Sequence, residues 1–307
     1  MRKSIKPRLR RVPFLVGLWR FLLRWRQQDF RRKWLYYALA LRNTLFLGRL
    51  IKVQVGGVSF HIAPRGAVAM DLWSGLRFER HELELILSIA RPDTIFFDVG
   101  ANTGLFSLAI AQKVSHARVY AFEPCAWSFK VLMENIRFNG LDNVMPIRTA
   151  IGDYTGEAVL LINAKGKDGL NTIGSPTRSD CKVVGHEKVP IVTLDAFVKN
   201  NNISRVDVMK VDVEGAELLI FRGAEDLLRR SDAPLVLYEG YSWCTKGFGY
   251  HPVEIMWLLK DYGYLLFVLD GESERVVPWR REHGYDAMIM AAKPRHPLYG
   301  EFGRDAQ

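Results

Sequence analysis

From Thr94 onward, short apolar runs alternate with helix-forming stretches, and this alternation limits the possible folds more than any other feature of the chain. Strands are predicted at TIFFDV, RVYAFE, NVMPIRTAIGD, VDVMKVD and PLVLYEG, because each is a short, largely apolar run. Helices are predicted after four of them, beginning near Leu105, Ala126, Ala216 and Val253. Such alternation indicates an α/β fold, with a mostly parallel sheet covered by helices on both faces.

The flanking sequence extends this predicted domain at both ends. Ile51–Ile62 alternates in the manner of a β-hairpin that turns at Gly56-Gly57, and Phe78–Ala90 has the spacing of an amphipathic helix. The closing runs Tyr264–Asp270 and Tyr285–Lys293 are predicted to pair as a C-terminal antiparallel hairpin, which would give the sheet one antiparallel edge.

The charge of the chain is divided unevenly. The formal net charge is +10, yet residues 1–52 hold 15 Lys and Arg against a single acid, Asp29. The remaining residues are mildly acidic, which points to an appended docking element rather than a basic catalytic face. We therefore divide the chain into four parts: a basic amphipathic helical extension (1–52), a hairpin and helix that pack on the catalytic domain (53–93), the α/β domain (94–293) and a tail (294–307).

Two helices are predicted within the basic extension, Pro13–Arg26 and Phe30–Leu50. Their Trp, Leu and Phe side chains are interleaved with Arg and Lys, as in helices that lie at a membrane surface. The chain has no run of 18 uninterrupted apolar residues, so no membrane span is predicted. Two interpretations stay open: peripheral contact with an anionic membrane surface, or packing against the body or a second copy of the chain.

Cysteine usage favours a reducing, cytoplasmic compartment. Cys125, Cys181 and Cys244 are widely spaced and form no C-x-x-C pair, so neither a disulfide framework nor a zinc site is predicted. No His/Asp cluster with metal-ligand spacing is found either, and we expect no metal.

The sharpest local motif is DVGANTG, Asp98 to Gly104, between an apolar strand and a helix. Glycines at this place allow a tight turn and close approach to a ligand at the carboxyl end of the strands. The motif is not G-x-G-x-x-G, and no G-K-[ST] follows it, which argues against NAD and ATP.

Acids follow the next two predicted strands, Glu123 within FEP and Asp153 within AIGD. A carboxylate at the second strand end accepts hydrogen bonds from a ribose diol, and one at the third is placed to accept from an adenine amino group. Together with Asp98 they form a negatively charged constellation that suits a cationic ligand and repels phosphates.

These motifs, in the order DVGANTGLFSLAIA, VYAFEP, NIRFNGLDNV, AIGD, TLDAFV and VMKVDVEGAELLIFRGAEDLL, resemble the FkbM-type methyltransferase family. The resemblance covers roughly Phe78 to Asp270. It implies a Rossmann-like class I methyltransferase fold, S-adenosylmethionine as the cofactor, and O-methylation of sugars or natural-product hydroxyls. The basic extension lies outside the family pattern.

The resemblance also implies roles for individual residues. Glu123 would hold the ribose hydroxyls of the cofactor, and Asp153 its adenine. The methionine end of the cofactor would be lined by the DVGANTG motif, at Asp98, Gly100, Asn102, Thr103 and Gly104.

Two acids are candidates for orienting or deprotonating the acceptor hydroxyl. Asp212 ends the fourth strand and Glu239 the fifth, at the edge of the sheet where ligands bind. Asp212 has the alternative of capping the next helix, as Asp often does. His251 is a weaker candidate in a loop. The neighbouring residues Lys210, Glu214 and Glu217 are interpreted as an ion-pair partner and helix-start acids.

The polar stretch Asn163–Lys188 is long for a connection inside a compact domain, and we interpret it as a lid over the acceptor. The predicted function is O-methylation of a sugar, glycolipid or natural-product-like acceptor. Two alternatives stay open. The basic extension is compatible with an RNA methyltransferase, although no N-P-P-Y-like motif follows the fourth strand and the body is acidic. A protein that binds the cofactor without transferring methyl is the other.

Overall fold

The computed structural model describes residues 50–55, 57–65, 68–69, 72, 79–164, 168–175, 182–269, 276–294 and 296. Contacts within the chain separate Met1–Arg49 from Leu50–Gln307, and only the second unit contains described residues. The two helices predicted before residue 50, Cys181 and the tail after residue 296 therefore lie outside the described residues. Among the residues that are described, no helix is long and apolar enough to cross a membrane.

The helices and strands follow the predicted alternation. In chain order they are β1 (Ile51–Val55), β2 (Val58–Ile62), α1 (Arg80–Ile89), β3 (Ile95–Val99), α2 (Leu105–Lys113), β4 (Arg118–Phe122), α3 (Ala126–Asn139), β5 (Val144–Ile147), β6 (Ala150–Ile151), β7 (Gly156–Asn163), β8 (Val183–Val192), α4 (Leu194–Asn200), β9 (Val208–Val211), α5 (Glu217–Arg222), α6 (Glu225–Arg229), β10 (Leu235–Glu239), α7 (Ser242–Thr245), α8 (Pro252–Asp261), β11 (Leu265–Leu269), β12 (Val276–Pro278) and β13 (Met288–Ala292). The predicted N-terminal hairpin is confirmed as β1 and β2, which pair antiparallel from Ile51↔Ile62 to Val55↔Val58.

The main sheet has eight strands in the order β12-β11-β13-β10-β9-β3-β4-β5. The strands from β10 to β5 pair in parallel, with Asp98 of β3 opposite Lys210 of β9. Within this parallel block, β4 and β5 lie on one side of β3, and β9 and β10 lie on its other side. The strand order therefore reverses between β3 and β9, which creates a crevice at the carboxyl ends of these two strands. The α/β fold with a mostly parallel sheet is confirmed.

The parallel strands are buried because helices cover them. Every residue of β3 and of β9 is buried, and one large apolar cluster includes Phe97, Met209 and Tyr238. Phe97 packs edge-on against Tyr120 and Phe122 of the neighbouring strand at 5.2 and 5.5 Å between ring centroids. Central parallel strands buried on both faces consist of continuous apolar runs, which is why the sequence pattern identified them.

The predicted antiparallel pairing of the two closing runs is confirmed as β11 with β13, but their position in the sheet differs from that of an edge hairpin. β13 pairs antiparallel with β10 on one side and with β11 on the other, so it lies inside the sheet. The edge is β12, a strand of three residues that pairs with β11 and was not predicted. Sequence order alone does not reveal that the last strand inserts between two earlier ones.

Two further differences concern one predicted strand and one predicted helix. The run NVMPIRTAIGD forms two strands, β5 in the main sheet and β6 in a separate sheet ordered β6-β8-β7. The helix predicted over AELLIFRGAEDLLRR is divided into α5 and α6 at Gly223. A Cβ at Gly223 would overlap the carbonyl oxygen of Gly152, so only glycine fits at this close approach of two chain segments.

Candidate active site

The DVGANTG motif forms a tight loop between β3 and α2. Gly100, Asn102 and Gly104 all have positive φ, at 85°, 50° and 93°. A Cβ on Gly100 would overlap the backbone oxygen of Asp212, which shows how closely the loop approaches the end of β9. Glycine is required here both for the left-handed backbone and for the close contact.

Asp98, the last acid on β3, is almost completely buried. Its Oδ2 accepts hydrogen bonds from Ser107 N at 3.1 Å and Ser107 Oγ at 2.6 Å, whereas its Oδ1 has no partner. Burial raises the pKa of Asp98, and Lys210 opposes the increase. Asn102 Oδ1 is also buried without a partner. Two polar oxygens at one loop are thus able to accept hydrogen bonds from a ligand.

Glu123 joins the loop to the next strand. The residue is buried at the end of β4, and its Oε2 accepts from Asn102 N at 2.8 Å. Its Oε1 accepts from Cys125 N, also at 2.8 Å. Each carboxylate oxygen has a second lone pair, so Glu123 is able to hold hydroxyl groups in addition to these amides.

The remaining predicted cofactor residues divide into two groups. Thr103 is buried and its carbonyl accepts from Asn135 Nδ2 at 2.8 Å, which fixes the loop on α3. Asp153 instead follows β6 of the small sheet rather than a strand of the main sheet, and it is exposed. The structure brings the DVGANTG residues and Glu123 together, while the contact of Asp153 with an adenine stays a prediction.

A buried lysine organises the end of β9. The Lys210 side chain is 4% exposed, and its Nζ lies 2.7 Å from Asp212 Oδ2 and 3.7 Å from Glu79 Oε2. The Phe106 ring centroid lies 4.5 Å from the same Nζ. Burial alone lowers the pKa of a lysine, but the carboxylates of Asp212, Glu79 and Asp98 outweigh burial and raise the pKa of Lys210. The predicted ion-pair role of Lys210 is consistent with this arrangement, and Asp212 is its partner.

The end of β10 carries a second acidic group. Cys244 Sγ lies 3.3 Å from Glu214 Oε2 and 3.9 Å from Glu239 Oε2. Burial raises the pKa of Glu239 well above its ordinary value, and the charges of Asp212 and Glu214 raise it further. The three ligand atoms of this group lie within 4.8 Å of one another, a spacing compatible with one divalent cation. The expectation that no metal is bound therefore stays a prediction.

Glu217 supports the turn between β9 and α5. It is fully buried, and its Oε1 accepts from Val213 N and Gly215 N, both at 3.2 Å. Tyr250 Oη donates to the Gly215 carbonyl at 2.5 Å. Burial raises the pKa of Glu217 to about 7 although backbone amides oppose the increase. Its position as the first residue of α5 agrees with the prediction of a helix-start acid.

Part of the polar stretch after β7 lies against this site. Thr172 Oγ1 donates to the Glu214 carbonyl at 3.1 Å, and Ser175 N donates to the Gly247 carbonyl at 3.2 Å. A Cβ on Gly174 would overlap the Phe248 ring. The described residues 168–175 thus contact the backbone at Glu214 and Gly247. Residues 183–188 of the predicted lid instead belong to β8, and a lid formed by the earlier residues stays a prediction.

His251 has a structural explanation. Its Nδ1 accepts from Val253 N at 3.2 Å and caps α8, while Glu254 accepts from His251 N at 2.9 Å. The ring packs edge-on against Tyr285, with 5.1 Å between centroids. These contacts form a capping box, which accounts for the residue without a catalytic role.

Comparison with known proteins agrees with this geometry. The methyltransferase FkbM domain matches residues 98–266, more than half of the chain. The chain belongs to the FkbM methyltransferase family. The resemblance inferred from the motifs is confirmed, and this domain is a methyltransferase domain with S-adenosylmethionine as its cofactor.

Relatives within and beyond this family are distant. Hexuronic acid methyltransferase AglP of Haloferax volcanii is 31% identical over 165 residues, covering 52% of this chain and 62% of that protein. 31-O-demethyl-FK506 methyltransferase FkbM of Streptomyces tacrolimicus is 29% identical over 181 residues, covering 51% and 67%. The chain thus spans less than two thirds of the Haloferax protein. A solved O-methyltransferase from Bacillus cereus, in complex with S-adenosylhomocysteine, is 14% identical with a TM-score of 0.41, covering 69% of this chain and 78% of that one.

The residues of this FkbM domain fit the cofactor. S-adenosylmethionine has an ammonium group at its methionine end and two hydroxyls on its ribose. The unpartnered Oδ1 atoms of Asp98 and Asn102 are suited to the ammonium group, and Glu123 to the hydroxyls. The close approach of Gly100 to Asp212 places the cofactor loop next to the candidate catalytic acids.

Glu79 was missed by the sequence interpretation, although it lies beside Lys210 and Asp212. It precedes the matched segment and resembles any exposed acid at the start of a helix. Tyr241 and Trp243, stacked with 6.0 Å between ring centroids and an angle of 18°, were missed as well. No spacing in the sequence indicates that these two rings stack.

Proposed function

We propose that this chain is an S-adenosylmethionine-dependent O-methyltransferase that acts on a hydroxyl of a sugar, glycolipid or natural-product-like acceptor. The observation that carries the proposal is the contact between the cofactor loop and the end of β9, where Gly100 packs on the backbone of Asp212. The candidate proton acceptors therefore lie at the same edge of the sheet as the residues suited to the cofactor.

In this proposal the cofactor supplies a methyl group that is already activated by a sulfonium. The residues of the chain then have two tasks, to orient the acceptor oxygen and to take its proton. Positioning accounts for most of the acceleration, roughly 7–11 kcal/mol in well-oriented systems. Removal of the proton adds about 10²–10⁴-fold.

We assign the orienting task to Asp212 and proton removal to Glu239. The ion pair with Lys210 holds the Asp212 carboxylate in one position and stabilises its negative charge. The interactions that shift the pKa of Glu239 include no positively charged partner. Burial and the neighbouring carboxylates all raise this pKa. A raised pKa makes the ionised carboxylate a stronger base, so Glu239 in its ionised form is the better acceptor for a hydroxyl proton.

The class of acceptor is supported by the two relatives whose names state their substrates, hexuronic acid and 31-O-demethyl-FK506. Both substrates are rich in oxygen. The stacked rings of Tyr241 and Trp243 also favour an acceptor with flat apolar faces, and the pKa of Tyr241 is raised to about 12 by burial and by Glu239, which indicates that this ring lies near the proposed base.

The test is to incubate the full chain with S-adenosylmethionine and matched panels of glycosides, macrocyclic alcohols and RNA, and to measure S-adenosylhomocysteine formation. Turnover with hydroxyl acceptors that is lost in Glu239→Gln supports the proposal. Turnover with RNA alone would favour the nucleic-acid alternative. Tight S-adenosylhomocysteine binding without turnover on any panel would favour a protein that only binds the cofactor.

For the N-terminal extension we propose peripheral contact with an anionic membrane surface, on the inner face of a membrane. Its support is the excess of Lys and Arg in residues 1–52, since each such residue near an anionic surface contributes about 1 kcal/mol. The full chain should sediment with phosphatidylserine vesicles, and Gln at Arg8, Arg10 and Arg11 should weaken that binding. Equal recovery with neutral vesicles would contradict the proposal.

A further inference from the structure

Glu79 lies outside the segment 98–266 matched by the family, yet its carboxylate belongs to the described site. It immediately precedes α1 and has a left-handed backbone, with φ 46°. Its side chain is 18% exposed, and its Oε2 lies 3.7 Å from Lys210 Nζ. A non-glycine residue is strained in this conformation, so the surrounding structure must hold it there.

The charges around Lys210 do not balance. Its ammonium faces Asp212 at 2.7 Å and Glu79 at 3.7 Å, and Asp98 lies opposite it on the neighbouring strand. Its remaining surroundings include the ring of Phe106. One positive charge is thus shared by three carboxyl groups. A second positive group entering this place would be favoured by all three.

The protonation of Glu79 follows from this imbalance. Burial raises the pKa of Glu79 to about 8; Lys210 lowers it, while Asp212, Glu82 and Asp98 raise it. Glu239 at the end of β10 also interacts with Glu79, because the charge of Glu79 raises the pKa of Glu239. Burial and the neighbouring carboxylates therefore favour the protonated form of Glu79, and an increase in the local positive charge favours its ionised form.

We propose that Glu79 is a further residue of the cofactor site, which loses its proton when the positively charged cofactor binds and keeps it when the neutral product is bound. This inference rests on the proposed function, because it requires the sulfonium of S-adenosylmethionine. S-adenosylhomocysteine has the same groups except the methyl and its positive charge. Glu79 thereby lets the site distinguish cofactor from product by charge, and it favours replacement of the product by fresh cofactor.

The test is calorimetric titration of both ligands into the full chain, in buffers of different ionisation enthalpy, so that proton release is measured with affinity. At pH 7.5 we expect S-adenosylmethionine to release about half a proton more than S-adenosylhomocysteine. Between pH 6.5 and 9 the affinity for S-adenosylmethionine should increase about tenfold relative to that for S-adenosylhomocysteine, because the free energy of ionising Glu79 no longer opposes binding.

Two variants identify the responsible group. Glu79→Gln should abolish the difference in proton release and the pH dependence of the affinity ratio. Glu84→Gln is the matched control, because Glu84 lies on α1, which begins directly after Glu79, and is paired with Arg80. It should leave both quantities unchanged.

Each outcome decides the inference. Equal proton release for the two ligands, or release that persists in Glu79→Gln, overturns it while the cofactor assignment stands. If a folded wild-type chain binds neither ligand, the proposed function fails and the inference fails with it. Equal proton release on the wild type overturns the inference without any variant, so the inference stays falsifiable even where the Glu79→Gln protein does not fold.

Discussion

The carboxyl-end edge of the sheet has two halves that carry the same type of residue in different surroundings. In the cofactor half, formed by the ends of β3 and β4, backbone amides of Asn102 and Cys125 hold Glu123 from both sides. In the acceptor half, formed by the ends of β9 and β10, carboxylates face one another, and Glu239 interacts with Asp212 and Glu214.

This difference separates binding from proton chemistry. Amides that donate to a carboxylate fix its orientation, which suits recognition of hydroxyls. Buried carboxylates that repel one another have raised pKa values, as Glu239 has, and a raised pKa favours uptake of a proton. Acids at the strand ends of one sheet thus differ in function because their neighbouring groups differ, although their residue types are the same.

The largest expected effect is on turnover and comes from the acceptor half. Glu239→Gln should lower the turnover of a hydroxyl acceptor by about 10²–10⁴-fold, because the hydroxyl proton loses its acceptor. Its affinity for S-adenosylhomocysteine should stay within about threefold of wild type, since Gln keeps the size of the side chain. Steady-state kinetics and calorimetry on the same preparation provide the comparison. An equal loss of affinity and turnover would mean that the two halves are not separate.

The next effect concerns stability and pH. Burial raises the pKa of Glu217 from 4.5 in the unfolded chain to about 7 in the folded protein, so the protonated form favours the fold. The contribution is full below pH 4.5 and is lost as pH rises through 7, by up to about 3 kcal/mol. Glu217→Gln keeps an oxygen for the amides of Val213 and Gly215, and it cannot ionise.

Urea unfolding at pH 5 and pH 8 measures this contribution. The unfolding free energy of Glu217→Gln minus that of wild type should be more positive at pH 8 than at pH 5. An identical difference at both values would show that Glu217 does not titrate in this range. The exposed Glu225, paired with Arg229, supplies a matched control in Glu225→Gln.

In the cofactor half the expected effect is on binding. Glu123→Ala removes hydrogen bonds to a charged group, each contributing about 1.5–3 kcal/mol, so affinity for S-adenosylhomocysteine should fall by roughly 10–100-fold. Turnover at saturating cofactor should recover most of its wild-type value, in contrast to Glu239→Gln. If saturation restores nothing, Glu123 also positions the reacting groups.

The sequence predicted the cofactor half better than the acceptor half, and the reason is physical. Asp98, Gly100 and Glu123 lie within one strand–loop–helix–strand unit, so local turn chemistry and strand ends suffice to bring them together. Glu79 reaches the site from a helix that precedes this unit, through a contact with Lys210 that no local pattern encodes. The insertion of β13 into the sheet is a non-local pairing of the same kind.

The smallest expected effect concerns the segment 168–175, which lies against both halves. An ideal Cβ on Gly169 would lie 3.7 Å from Asn102 Nδ2 in the cofactor half, and Thr172 bonds to the Glu214 carbonyl in the acceptor half. Gly174→Ala would push this segment away from Phe248, because no space exists for the methyl group. We expect the KM for the acceptor to rise several-fold with little change in S-adenosylhomocysteine affinity.

Gly185→Ala is the matched control for this change, since a Cβ there meets no atom within 4 Å. Gly185 lies on β8, and its replacement should leave both constants at their wild-type values. If Gly174→Ala weakens binding of S-adenosylhomocysteine as much as it raises the KM, the segment closes over the cofactor half as well. The segment 168–175 would then cover both halves. Only the strand-end acids would separate cofactor binding from proton chemistry.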